Sequence, residues 1–168
     1  MCDAVIDRGT LLAIMQAAKK ADDSLLRDYA ETTVAVADIK IAVRSMKTGK
    51  NKDFMKRAMA ECNTLDIDRL ATAAVAGMEE IERYLADTAY AGGAEALSES
   101  ASAFERWCDN RIIETIKPQK YNPFTVGPIV AYILARLNEI KTVRIILTCK
   151  LNQLPEEAIR ERVREMYV

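Results

Sequence analysis

Histidine is absent from all 168 residues. That removes the side chain that most often moves protons near neutral pH, along with His-paired nucleophiles and His-containing zinc patterns. The four cysteines, Cys2, Cys62, Cys108 and Cys149, show no CxxC spacing. The remaining zinc signatures and a disulfide framework are thereby excluded, and reduced thiols in a cytoplasmic protein are the expected state. Six glycines and four prolines are too few for a loop-rich β protein, and aromatics make up only 6%. Charge of one sign is also lacking: the formal net charge is −1, so no strong overall field draws the chain to nucleic acid or to an anionic membrane. The longest apolar runs, such as Ala73–Met78 and Ile145–Leu147, fall far short of the roughly twenty residues that span a bilayer. The first residues show no basic stretch leading into an apolar run. A protein that works at a membrane from outside the lipid is compatible with all of this.

What the chain does have is helix formers. Hydrophobic residues make up 50%, enough for a packed core, and Ala, Leu, Ile, Met, Glu, Lys and Arg dominate. The predicted fold class is all-α. Periodicity and punctuation place helices over about 3–20, 25–46, 52–62 and 66–84. Asp22-Asp23-Ser24 supplies a polar break and an N-cap. Ala91-Gly92-Gly93-Ala94 reads as the most flexible point. A further helix, broken near Ser98–Ser102, runs from Glu95 to before Pro118. Pro123 and Pro128 bracket an extended linker. From Tyr132 to Val168 the pattern predicts two helices. On the first, Ile133, Leu137, Ile140, Arg144 and Leu147 form one stripe, apolar except for the arginine and expected to be buried. On the second, Pro155 suits the first position and Glu156 and Glu157 favour the positive dipole end. Ile159, Val163 and Met166 give that helix its expected buried face. Its alternating Arg160, Arg162, Arg164 and Glu161, Glu165 read as a solvated face or as a rim against another protein.

An internal repeat emerges when the chain is shifted by 100 residues. Arg44 through Lys50 then lies over Arg144 through Lys150, Val43 over Val143 and Asp38 over Asn138; with a slip of two, Asp7 lies over Asp109. Two similar multi-helix units are therefore predicted, 1–92 and 93–168. Within each, an arginine stands near the end of the long helix. Burying a guanidinium without a partner is costly. Asp7 is accordingly the expected partner of Arg44, and Asp109 that of Arg144, each pair pinning a long helix to the helix before it. The alternative is that Arg144 faces a groove and docks a partner.

No motif carries catalysis. Gly49-Lys50 fails as a phosphate loop, because Arg44 stands where a glycine is required and Asn51 where a hydroxyl would hold magnesium. No cofactor or metal is expected, and the cysteines have no acid–base companion. Arg44, Lys47, Lys50, Lys52, Lys56 and Arg57 form a basic run opposed locally by Asp53 alone. The run reads as cations solvating a helix end, as a footprint for an acidic protein surface, or as one for nucleic acid. Lys47, Lys50, Lys52, Lys56 and Arg57 are the candidate partner-binding residues.

The C-terminal third carries a resemblance. Asn138-Glu139-Ile140-Lys141, Arg144-Ile145-Ile146-Leu147, Lys150-Leu151-Asn152, and Arg160-Glu161-Arg162 closing on Glu165-Met166-Tyr167-Val168 resemble the end of the C subunit of the V-type (A-type) ATP synthase, whose eukaryotic relative is the d subunit of the vacuolar ATPase. The likeness is strong over 128–168, moderate over 22–58 and faint over 71–116. It implies successive helical units arranged with approximate three-fold pseudo-symmetry into a funnel. Family members carry another unit at the N-terminus, and Met1 here corresponds to the opening of the second. Glu61-Cys62-Asn63 departs from a family glycine turn. The implied role is non-catalytic: to couple the central-stalk D and F subunits to the membrane rotor ring of c/K subunits, peripherally at the cytoplasmic face, for rotary proton or sodium transport. No nucleic acid and no membrane span are implied. The residues read without the family leave a generic helical-repeat interaction module, or a nucleic-acid binder using 44–57.

Overall fold

The computed structural model describes residues 2–167, with side chains from Ile6 onward. Among the described residues there is no strand, and no helix is long and apolar enough to cross a membrane. The all-α class follows directly. The chain divides between Ser98 and Glu99 into two compact units.

The first unit is built around α2 (Ser24–Lys47). Asp23 caps it by accepting a hydrogen bond from the Leu26 N–H at 3.1 Å, as the polar break predicts. Ala30, Val34, Ala35, Ile39 and Ala42 of α2 are fully buried. Against them pack α1 (Cys2–Ala21), α3 (Lys52–Ala58), α4 (Ile67–Ala76) and α5 (Met78–Ala86). These contribute Leu11, Met55, Leu70, Ile81 and Leu85 to the core. Burying each such side chain stabilises the unit by about 1.5–3 kcal/mol.

Three expectations are corrected here. The helix predicted over 52–62 stops at Ala58, because Met59 turns extended (φ −77°, ψ 155°) and sends Ala60 into the core. The single helix predicted over 66–84 is two, divided at Gly77, whose φ of +139° is closed to residues with a Cβ. The Ala91–Ala94 stretch is not a flexible joint but the start of α6 (Ala91–Glu99), with Gly93 and Ala94 buried. The division into units falls at the C-terminal end of α6, between Ser98 and Glu99.

The second unit packs α7 (Ala101–Ile116), a 3₁₀ turn (Lys117–Tyr121), α8 (Gly127–Leu151) and α9 (Glu156–Arg162) on one another. Ser100 breaks the chain before α7 and caps it, its Oγ accepting from the Ala103 N–H at 2.9 Å. Phe104, Cys108, Ile113 and Ile116 of α7 are buried. Trp107 is half-buried.

The main correction concerns α8. Its buried face is Ala131, Ala135, Asn138, Thr142 and Cys149, all small or polar. The stripe of Ile133, Leu137, Ile140 and Leu147, expected inside, is exposed, and Arg144 with it. Small side chains let α7 and α9 approach the helix axis closely, so bulk is what the packed side excludes. The last helix is also shorter than predicted. It ends at Arg162, with Val163 extended (φ −69°, ψ 134°), so Val163 and Met166 do not continue its buried face, and Met166 is exposed.

Candidate functional site

Both long helices end in the same way. At the end of α2, Gly49 takes a positive φ of 64°, and the Lys50 N–H reaches the Ser45 carbonyl at 2.9 Å. At the end of α8, Gln153 takes a positive φ of 55°, and the Leu154 N–H reaches the Cys149 carbonyl at 3.0 Å. These left-handed terminations satisfy carbonyls that the last turn would otherwise leave unpaired. A short helix follows in each case (α3 or α9), then an extended segment. The two turns match at an offset of 104 residues, one helical turn more than the sequence similarity suggests.

In each unit a polar side chain on the long helix grips that extended segment. Asp38, fully buried on α2, accepts the Ala60 N–H through Oδ1 at 3.1 Å. Its Oδ2 is buried without a hydrogen-bond partner among the described residues. Burial pushes the Asp38 carboxyl up to about 7, against the opposing pull of the Ala60 N–H and the Arg8 charge. Asn138, buried on α8, donates through Nδ2 to the Glu165 carbonyl at 2.8 Å. Asn110 of α7 accepts the Glu165 N–H at 2.9 Å. Both peptide groups of Glu165 are thus held from opposite sides.

Asp109 is an ion-pair residue, with partners other than the expected Arg144. Its Oδ2 accepts from Arg164 Nε at 2.7 Å, and its Oδ1 from Lys141 Nζ at 2.6 Å. Arg164 is only 7% exposed, so this is a nearly buried pair joining α7, α8 and the tail. Arg164 also donates to the Arg162 carbonyl. Nearby, Arg106 donates to the Glu161 carbonyl at 2.6 Å, and Lys117 pairs with Glu165 at 2.6 Å, which raises the Lys117 pKa. In the first unit, Asp7 is exposed on α1, and Arg44 is exposed near the end of α2.

The basic run meets an acid that local counting missed. Asp68, arriving on α4, pairs with Lys56 at 2.9 Å and with Lys52 at 3.5 Å. The hydrogen bond between Lys56 and Asp68 raises the lysine pKa and lowers the aspartate's. Lys52 also donates to the Thr72 hydroxyl at 2.8 Å. Lys50 stands over the Phe54 ring at 5.6 Å, a cation–π contact. Lys47 and Arg57 are exposed. Beside this run lies an open groove of about 490 Å³ lined by Lys52, Asp68, Arg69, Tyr84 and Asp87, with Arg69 stacked over Tyr84 at 5.4 Å. It holds charges of both signs.

Sequence reasoning also missed Glu31. From α2 it accepts the Asn63 N–H at 2.6 Å and the Thr64 N–H at 2.7 Å, together with the Thr64 hydroxyl at 2.8 Å. The loop at Asn63 and Thr64 is fixed by this carboxylate. Among the described residues no group of three or more cysteine, aspartate or glutamate side chains is placed to hold a metal. Burial raises the Cys62 thiol to about 11, which keeps it protonated and unreactive.

The family model described as "ATP synthase (C/AC39) subunit" matches residues 1–162. The C subunit of the A-type ATP synthase of Methanocaldococcus jannaschii is 27% identical over 148 residues, covering 83% of this chain and 37% of the relative. The chain therefore spans little more than a third of the length of that curated relative. No solved structure matches it.

Proposed function

Because the chain belongs to the ATP synthase (C/AC39) subunit family, we propose that it acts as the non-catalytic C subunit of a V-type or A-type ATP synthase. In this role it couples the central rotor stalk to the membrane rotor ring during rotary proton or sodium transport. The single observation carrying this reading is the family match across residues 1–162. A coupling part needs stiffness and docking surfaces rather than a reactive centre. Its stiffness comes from capped helices, left-handed helix ends and extended segments gripped by Asp38, Asn110 and Asn138. The recurrence of long helix, left-handed turn, short helix and gripped segment supports the view that the two units arose by duplication. The pairing of Asp7 with Arg44 belongs to the same proposal.

The central-stalk D and F subunits and the c/K ring are the proposed partners, met peripherally at the cytoplasmic face. Lys47, Lys50 and Arg57, with Lys52 and Lys56 partly neutralised by Asp68, form the surface proposed to meet an acidic partner. Contacts that hold under torque call for broad interfaces rather than one small pocket. The test is co-elution of the tagged chain with purified D–F stalk or with detergent-solubilised ring. A complex is expected, with K47E/R57E weakening it and added salt mimicking that loss. Recovery with neither partner, together with steeply salt-dependent binding to random duplex DNA, would transfer the basic run to nucleic acid.

A further inference from the structure

Where α1 lies on α2, a buried acceptor and a buried donor are both left without a hydrogen-bond partner among the described residues: Asp38 Oδ2 and Arg8 Nε. We propose that this junction is a proton-controlled latch, in which α1 and the extended segment after α3 close over a protonated Asp38 and open locally when that proton is lost. The latch does not depend on the stalk role proposed above.

The register of the two helices brings these groups together. Leu11, Val34 and Ala60 form one buried cluster, with Met15 and Cys62 packed against it. Only two residues join α1 to α2, so the helices run antiparallel. A step from Leu11 towards the start of α1 therefore runs the same way as a step from Val34 towards the end of α2. One turn along each reaches Arg8 and Asp38, beside Ala60, whose N–H already donates to Asp38 Oδ1 at 3.1 Å. A carboxyl so enclosed holds one hydrogen bond and must otherwise keep its proton or find a donor. The Arg8 charge favours ionisation, but burial outweighs it and keeps the carboxyl protonated up to about 7. Once α1 lifts and water reaches Asp38, the ordinary value near 3.9 returns. The closed form thus binds the proton more tightly, and closure weakens as pH rises between the two values.

The second unit holds its segment without a titrating group. There Asn110 and Asn138 grip the Glu165 N–H and carbonyl. The shift that sets Asp38 over Asn138, and the offset that sets Asp7 over Asp109, place Arg8 over Asn110. Charged side chains therefore stand in the first unit where neutral amides stand in the second. Glu31 anchors the far end of the first unit's segment at Asn63 and Thr64, so the part that opens is the stretch around Ala60. The groups facing Asp38 are Arg8 from α1 and, from the segment, the Cys62 thiol, which burial keeps protonated. On α3, α4 and α5, Lys52 and Lys56 pair with Asp68, Arg69 stands over Tyr84 and Arg83 pairs with Glu80, and none of these is buried.

Amide hydrogen exchange of the full 168-residue chain, read by NMR as protection factors from about pH 5 to about pH 8, tests the latch. Protection of the Ala60 N–H should fall by up to about tenfold per pH unit and level off above about pH 7. The Glu165 N–H, and the Ile81 and Leu85 N–H groups buried on α5, should keep their protection across the range. D38N should remove the fall at Ala60. R8Q takes away the charge that favours ionisation and should move the fall to higher pH, with the Asp38 carboxyl carbon shift titrating in step. Constant Ala60 protection in the wild type, or a fall that D38N retains, would overturn the proposal. A fall shared equally by Ile81 and Leu85 would do the same, because it reports unfolding of the whole unit rather than a local opening. An R8Q titration unchanged from wild type would remove Arg8 from the latch.

Discussion

In the unfolded chain the Asp38 carboxyl ionises in the ordinary range near 3.9, while in the folded chain burial holds it protonated up to about 7. Between those values the native state binds the extra proton, so the contribution of Asp38 to stability is greatest below pH 4 and falls as pH rises. The loss reaches up to about 1.4 kcal/mol per pH unit across that window and levels off above it. D38N removes the titration while keeping an acceptor for the Ala60 N–H. Urea denaturation should show D38N more stable than wild type at pH 8 and equal to it near pH 4. At Asp109 the expectation runs the other way. Removing one partner of a nearly buried pair leaves Arg164 uncompensated, so D109A should cost about 3–5 kcal/mol, whereas R144A on the exposed face should stay within about 0.5 kcal/mol. Equal losses for the two would contradict the pairing described here. The sequence marked Asp109 as an acid in search of an arginine but not which one. Arg164 lies 55 residues away, in a segment whose periodicity reads as helix while its backbone is extended.

Among the elements, ends were more legible than faces. Asp23 and Ser100 stand where polar breaks place them, and both cap. Asp66 does the same for α4, its Oδ1 accepting the N–H groups of Asp68 and Arg69 at 2.9 and 3.0 Å. D66A should therefore cost about 1 kcal/mol in chemical denaturation, and an unchanged midpoint would show that the cap contributes nothing. The side that α8 turns to solvent was not legible, because periodicity reveals a stripe without saying what lies opposite it. Ala131, Ala135, Asn138 and Thr142 recur at helical steps too. Only the packing of α7 and α9 decides that the small face goes inside. Similarly, Gly92-Gly93 suggests freedom, yet the stretch is helical and Gly93 is buried.

Across the whole molecule, the all-α class was written in the composition, and the family in the residues of the last third. What the sequence kept hidden are contacts between residues far apart along the chain within each unit: Asp68 against the basic run, Glu31 against the loop at Asn63, and Asn110 and Asn138 around Glu165. None of these leaves a local pattern, because each partner is an ordinary polar residue on a helix surface until the chain closes on it. The grip on Glu165 has a further implication. It is made on the amide and carbonyl of the main chain, so a change of side chain there leaves both bonds in place and gives up only the exposed pair with Lys117. Mutational drift at that position should be forgiven for every residue except proline, which has no amide hydrogen to offer.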